Sequence, residues 1–161
     1  PDTFVVGKAV GFFDDFFLVQ KVSPRGEWDG FGLYPNSDLV AVSQDAEYLG
    51  MLVRLLERKN QTPPPVPKLA ETGLKTVLMH GMEHNRMVGL ELYKSGNQDV
   101  VGYVLAQSNL CVCLRQVGPF GEADGVCYVK TSAITRVYLE DGDLLCLELL
   151  SQDADGSASG T

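Results

Sequence analysis

Apolar and polar residues alternate over several short stretches of the chain, and a period of two is typical of β-strands. In the first half, 5–13 and 16–22 are rich in β-branched and aromatic residues, with an Asp-Asp pair between them as a turn. Further strands are expected at 31–34 and 39–42. The pattern therefore predicts short, consecutive, antiparallel strands.

In other segments the period changes to three or four residues, which predicts helices. Leucines with this spacing follow Asp45, a suitable N-cap, and predict a helix over 46–59. A second helix is expected from Lys68, with Asn85 as its stop. The leucines of 144–150 fit both strand and helix spacing, so the sequence does not decide whether this segment is a strand or a helix.

The chain contains an internal repeat with an offset of 95 residues. Residues 5–55 align without a gap on 100–150, and 14 of the 51 aligned positions are identical. Both copies carry Pro-x-Gly-Glu-x-Asp-Gly, at 24–30 and 119–125. Glycine and the Asp-Gly pair allow the positive φ of a hairpin loop. The second copy is preceded by a further expected strand at 87–93.

The repeat and a proline-rich stretch together divide the chain. Residues 61–67 contain four prolines and predict a semi-rigid linker. The first unit covers 1–60 and lacks a leading helix and strand; the second covers 68–151 and has both. The tail, 152–161, is expected to be disordered. Since an incomplete first unit leaves an open sheet edge, we expect a segment of the second unit or of a partner chain to cover it.

Four short elements in the first unit carry a family resemblance. They are Val-Gly-Lys at 6–8, an aromatic-Asp-Asp turn at 13–15, Gly-x-x-Asp-Gly at 26–30 and Asp-x-x-Tyr-Leu at 45–49. With them, the chain resembles a family of small, uncharacterised bacterial proteins. The resemblance implies a cytoplasmic protein with a small Sm-like or SH3-like barrel, and it implies no known activity.

The order of the second unit, a helix followed by five short strands, is also that of the Sm-like fold and its SH3-like neighbour. The expected fold class is therefore mostly β with a few helices. Tandem five-stranded Sm-like or SH3-like barrel units would be related by the 95-residue repeat. Sm proteins that bind RNA use an Asp-x-x-x-Asn element and an Arg-Gly or Lys-Gly element. The corresponding positions are 14–18 and 35–37 in the first copy and 108–112 and 130–132 in the second, and neither copy has these elements. The departure disfavours RNA binding of the Sm type.

Composition and charge narrow the function classes. The 161-residue chain has a net charge of −8, which disfavours nucleic acid as a partner because phosphates need clustered Lys and Arg. It has no apolar run near the roughly 20 residues of a membrane span, and no signal-peptide pattern. Its four cysteines all lie in the second half, three of them in apolar strand-like stretches, which suits a reducing cytoplasm better than a disulfide framework. We expect a cytoplasmic protein, not associated with a membrane, that binds a protein partner or itself.

A candidate metal motif, His80-x-x-Glu83-His84, matches the H-x-x-E-H pattern of zinc peptidases. Two histidines one helical turn apart can hold zinc while the glutamate activates water. The alternative interpretation is a pair of polar residues near the C-terminal dipole of a helix, and the glycine within the motif favours it. We expect no metal site, and a metal-dependent hydrolase using these residues remains an alternative function.

The cysteines and the remaining motifs give no stronger site. The cysteines are Cys111, Cys113, Cys127 and Cys146, and a four-cysteine zinc site is the hypothesis they raise. The first copy has mainly apolar residues at the aligned positions, so core packing is the preferred interpretation. No phosphate loop, dinucleotide fingerprint or Ser-His-Asp spacing is present, and no cofactor is expected.

The best candidate for a binding contact is Trp28, which lies between Glu27 and Asp29 in the glycine loop. The second copy has Ala123 at this position. Packing on its own fold is the alternative for Trp28, and turn hydrogen bonds are the alternative for the two acids. The sequence thus predicts a non-enzymatic binding or scaffold protein that acts through protein–protein contacts. An RNA-binding Sm-like protein is the first alternative, and the hydrolase is the second.

Overall fold

The computed structural model describes residues 4–158. The strands are β1 (Gly7–Phe12), β2 (Phe16–Val22), β3 (Trp28–Pro35), β4 (Met87–Leu92), β5 (Val100–Gln107), β6 (Cys111–Val117), β7 (Ala123–Lys130) and β8 (Ile134–Leu139). The helices are α1 (Glu47–Arg58), α2 (Gly73–Glu83) and α3 (Gly142–Ala158). Within the described range, none of these helices combines the length and apolar character needed to cross a bilayer.

All eight strands form one antiparallel sheet in the order β1-β2-β3-β8-β4-β5-β6-β7. The expected mostly β fold with a few helices is confirmed. β8 lies between β3 and β4, so that Val137 is the neighbour of Leu33 on one side and of Leu90 on the other. The last strand of the chain therefore joins the three N-terminal strands to the rest of the sheet.

The main core lies between one face of the sheet and α2. Leu18, Phe31 and Leu33 from the N-terminal strands are fully buried there, together with Val77 and Leu78 of α2. A smaller cluster lies on the opposite face, where α3 packs on the sheet. Its buried members are Met87, Tyr103, Val117 and Leu144. The N-terminal strands thus share a core with the helix of the second half.

The strands differ from the sequence prediction mainly in the first half. β3 begins at Trp28, three residues earlier than expected, because the glycine loop before it is tighter. The strand expected at 39–42 is wrong, since this segment is irregular and pairs with no strand. The outer edge of β3 is occupied by β8 instead of by the segment that follows β3 in the chain.

Both expected helices of the middle region are present, with corrected starts. Helix α1 confirms the prediction to within one residue, but its N-cap is Ala46, and Asp45 has a positive φ of 56° instead of capping. Helix α2 begins at Gly73 rather than at Lys68, and the side chain of Thr72 accepts the Lys75 N–H at 3.1 Å.

The C-terminal segment is helical rather than a strand. Helix α3 includes 144–150 and continues to Ala158. The disorder expected from residue 152 is therefore wrong for 152–158. Extending a helix that has already formed adds a hydrogen bond for each residue and does not incur the free-energy cost of helix nucleation again. The final three residues of the expected tail, 159–161, lie outside the described residues.

The group of strands β1 to β3 has two edges, and only the β3 edge is covered by a segment of the second half. β8 covers β3, as a segment of the second half should. On the other side β1 is an edge strand with no neighbour beyond it in the described structure, so no segment of the second unit covers it, and cover by a partner chain stays a prediction. A bulge between Ala9 and Gly11 breaks the β1 ladder, and bulges are a common protection of exposed edges.

Candidate functional site

Trp28 does not project into solvent. It is the first residue of β3, lies opposite Val22 and is half-buried. Its indole Nε1 is buried and has no hydrogen-bond partner in the described structure. This environment favours packing on its own fold over an exposed contact for a partner.

The two acids beside Trp28 hold other elements in place. Glu27 accepts a hydrogen bond from Lys59 Nζ at 3.0 Å, at the end of α1. This bond and the charge of Lys59 lower the pKa of Glu27 below its usual value. Asp29 accepts the Gly142 N–H at 2.9 Å, at the first residue of α3. The three predicted site residues are adjacent, but both carboxylates make hydrogen bonds that hold helix ends against the sheet: Glu27 at the end of α1 and Asp29 at the start of α3.

The rings of the metal motif are parallel rather than convergent. His80 and His84 stack with centroids 4.3 Å apart and an interplanar angle of 25°. His84 Nδ1 lies 3.0 Å from the His80 carbonyl oxygen, so this nitrogen carries the proton. Burial, followed by the charge of His84, lowers the pKa of His80. Among residues 4–158 no three His, Cys, Asp or Glu side chains are arranged to hold a metal ion.

Arg86 organises a carboxylate cluster beside these histidines. Its guanidinium donates to Glu140 Oε1 and to Glu148 Oε2, each at 2.9 Å. Glu148 also accepts the Met87 N–H at 2.9 Å, and its burial raises its pKa. The other oxygen of Glu140 is 3.9 Å from His80 Nε2 and makes no hydrogen bond. Both glutamates are thus engaged by Arg86.

A second polar cluster lies where β3, β8 and β4 meet. Arg136 of β8 donates to Asp38 Oδ2 at 2.8 Å, and Lys94 donates to Asp38 Oδ1 at 3.1 Å. On its other side, Arg136 Nη1 is 3.5 Å from Glu91 Oε2, although the geometry is not that of a hydrogen bond. Glu91 is only 2% exposed. Sequence reasoning missed this cluster, because a charged residue in an alternating strand resembles a solvent-facing position.

The cysteines are all unpaired and do not form one site. Cys111, Cys113 and Cys127 are half-buried, while Cys146 is exposed. Cys127 packs against the main core, as expected for a cysteine that serves as a small apolar residue.

A cleft of about 470 Å³ opens at the N-terminal end of α2. The turn between β1 and β2 lines one side and the turn between β5 and β6 lines another. Its walls carry Asp14, Asp15 and Glu71, with Lys75 as the lining cation. The carboxylates make this cleft a poor site for an anion.

The most exposed apolar stretch follows β3. Leu39, Val40 and Val42 are 47%, 94% and 69% exposed. Helix α1 comes next, and of its residues only Leu52 is buried. Asp38 fixes the beginning of the stretch through Arg136 and Lys94. We refer to 39–42 as the free segment: it is an apolar segment anchored to the sheet at one end and without a strand partner.

Comparison of the chain with protein-family models, with curated proteins and with solved structures finds no match.

Proposed function

We propose that this is a non-enzymatic protein-interaction protein built from two Sm-like units that arose by duplication, and that it is related to the small bacterial proteins it resembles. The element bounds support the duplication. Phe16–Val22 and Cys111–Val117 are strands whose ends are 95 positions apart, and so are Trp28–Pro35 and Ala123–Lys130. A short 3-10 turn follows the latter strand in both copies.

Finer features recur with the same offset. Bulges occur between Ala9 and Gly11 and between Val104 and Ala106. A Cβ on Gly26 would contact the Leu55 side chain, and a Cβ on Gly121 would contact Leu150, the aligned residue. Repeated bulges and glycine contacts are conformational details that two unrelated strand pairs seldom share.

The free segment is where the two copies differ. The residues aligned with 39–44 are Ile134–Leu139, which form β8. The first copy keeps an apolar sequence at these positions, but β8 already occupies the edge of β3. The free segment therefore has a strand-like sequence but pairs with no described strand of its own sheet.

The exposure of the free segment is the observation that carries the proposed function. Exposed apolar surface of this kind marks protein–protein sites, and extended segments commonly bind by adding a strand to the edge of a sheet. The partner we infer is a protein with a free sheet edge that accepts 39–42 as a strand. The anchor at Asp38 would reduce the entropy lost when this segment becomes ordered.

Other features agree with a binding role in the cytoplasm. The carboxylates nearest the histidine motif are bonded to Arg86, which disfavours the hydrolase alternative. The net charge of −8 disfavours the RNA-binding alternative. Four free cysteines suit a reducing compartment.

Site-specific photo-crosslinking in cells tests the proposal. A photoreactive residue replaces Val40 or, separately, Val42, and Val66 of the linker, which is 46% exposed, is the matched control. We expect both test positions to give an adduct with the same protein, and Val66 to give none. With that protein purified, Val42→Asp should weaken binding about tenfold or more, since it places a charge in an apolar contact. Absence of adducts, or equal adducts from Val66, would contradict the proposal.

A further inference from the structure

The pairing of β3 with β8 joins a strand of the first copy to a strand of the second. Three residue pairs form this contact: Phe31 with Leu139, Gly32 with Tyr138, and Leu33 with Val137. With the offset of 95 residues, β3 corresponds to β7, and β8 corresponds to 39–44. These corresponding segments stay apart in one chain, since β7 pairs only with β6 and 39–44 pairs with no described strand.

The strand β7 has the same local geometry as β3. Each begins with a bulge in which two residues lie opposite one, 29–30 opposite Lys21 and 124–125 opposite Gln116. The next three residues are 31–33, which pair with β8, and 126–128, which have no partner on their outer side in the described structure. A Cβ on Gly30 would meet the Leu139 carbonyl, whereas a Cβ on Gly125 would meet nothing within 4 Å. The edge that β3 uses for β8 is thus open on β7.

The chain leaves β3 in the same conformation in which it leaves β7. The 3-10 turns Asn36–Asp38 and Thr131–Ala133 follow the two strands. The next residues are both extended, with φ and ψ of −79° and 105° at Leu39 and of −76° and 120° at Ile134. Ile134 begins β8, whereas Leu39 begins the free segment. The free segment therefore starts with the backbone of a strand and lacks only a partner.

We propose that residues 42–44 of one chain pair with 126–128 of a second copy, antiparallel and in the register of β3 and β8. The pairs are then Val42 with Tyr128, Ser43 with Cys127, and Gln44 with Val126. Val42 and Tyr128 are 69% and 73% exposed, so the contact covers two apolar side chains, and no like charges meet. Since each copy has one free segment and one open β7, the contact is head-to-tail and its copies form a ring or an open chain.

The contact within the chain selects a second copy over other occupants. An unrelated sheet edge offers main-chain hydrogen bonds, but β3 and β8 show that the edge of one repeat accepts the strand after the 3-10 turn of the other. The proposed pairing continues this contact with the remaining two segments. The open β7 of the same chain lies at the far end of the sheet from β1 to β3, and Asp38 holds the start of the free segment to Arg136 and Lys94.

The inference rests on the proposed function, because both use the free segment as an added strand, and it names the partner. Cys127 makes the register measurable. In a chain with Cys111→Ser, Cys113→Ser and Cys146→Ser, the cysteine introduced by Ser43→Cys lies opposite Cys127 of the next copy, at a cross-strand distance that a disulfide spans. Under mild oxidation of this purified full chain at high micromolar concentration, we expect disulfide-linked dimers and larger species on a non-reducing gel.

Controls in the same background fix the register. Gln44→Cys places its thiol on the other face of the strand and should give about tenfold less crosslinking. Ser43→Cys combined with Cys127→Ser should give none. Without oxidant, sedimentation equilibrium of the wild-type chain measures the association. Tyr128→Asp should raise the dissociation constant about tenfold or more, because it places a charge in an apolar contact, whereas Leu149→Asp, at an exposed leucine of α3, should leave it unchanged.

Three results would overturn the self-association. They are equal crosslinking from positions 43 and 44, a disulfide closed within one chain, and a wild-type chain that stays monomeric up to millimolar concentration. The proposed function fails separately. Photo-adducts from Val40 and Val42 with a different protein, without a disulfide between copies, would leave that function standing and contradict only the pairing with β7.

Discussion

At Gly30 the absence of a side chain lets β8 lie directly against β3. The residue has a φ of 65°, which favours glycine, and a Cβ there would overlap the Leu139 carbonyl. Gly96 has a similar φ of 81°, but a Cβ there would meet nothing within 4 Å. Replacing each glycine by alanine therefore separates two free-energy costs. At Gly96 the substitution strains only the backbone conformation, whereas at Gly30 it also forces β8 away from β3.

We expect Gly30→Ala to lower the free energy of unfolding by about 3 kcal/mol or more, since backbone strain and a displaced β8 add together. Gly96→Ala should cost about 1 kcal/mol, which is the strain alone. Urea unfolding of both variants beside the wild type measures the difference. Equal losses would mean that β8 does not rest on β3 at this point.

Asp38 shows how a side chain in a turn can tie two strands together. It lies after β3, and its partner Arg136 is in the middle of β8. Burial alone would raise the pKa of Asp38, but hydrogen bonds and charges from Arg136 and Lys94 outweigh it and hold the pKa below its usual value. The stabilisation from the ionised form is thus present above the unfolded-state pKa and is lost as pH falls through the folded-state pKa.

Asp38→Asn should therefore destabilise the protein by about 2 kcal/mol at pH 7, the usual loss for a hydrogen bond to a charged group. The difference from wild type should stay constant down to about pH 5 and shrink below about pH 4, where the unfolded chain binds a proton. Urea unfolding at several pH values measures it, with the exposed Glu57→Gln as control. A difference that grows on acidification would refute the role given to Asp38.

Among the elements, the sequence allows prediction where local pattern decides the structure. β2 and α1 match their predictions because their apolar spacing and turns are contained within the segment itself. The segment 39–42 has a strand pattern too, yet it pairs with no described strand, and the edge of β3 is occupied by β8, which is far away in sequence. The pairing of Arg136 with Asp38 and Glu91 was equally unforeseeable, because it depends on that long-range choice.

Across the whole molecule, β8 makes the two halves of the chain depend on each other. Residues before the proline linker supply β1 to β3, and Leu18, Phe31 and Leu33 are buried in the core that α2 completes. Separating the halves would expose the edges of β3 and β8 as well as this core. We infer that the linker is not needed to hold the halves together once they have folded.

A protease site inserted between Gln61 and Thr62 tests this at the scale of the whole chain. Pro64 is left intact, because its carbonyl accepts a hydrogen bond from Gln20 at 2.8 Å. After cleavage, we expect the two pieces to elute together at the position of the uncut protein and to separate only in urea. Adding Leu33→Ala should cost about 2–5 kcal/mol and let the cut pieces separate without urea. If the pieces part without that substitution and the C-terminal piece stays folded, the halves are independent domains and the sharing of β8 contributes little to stability.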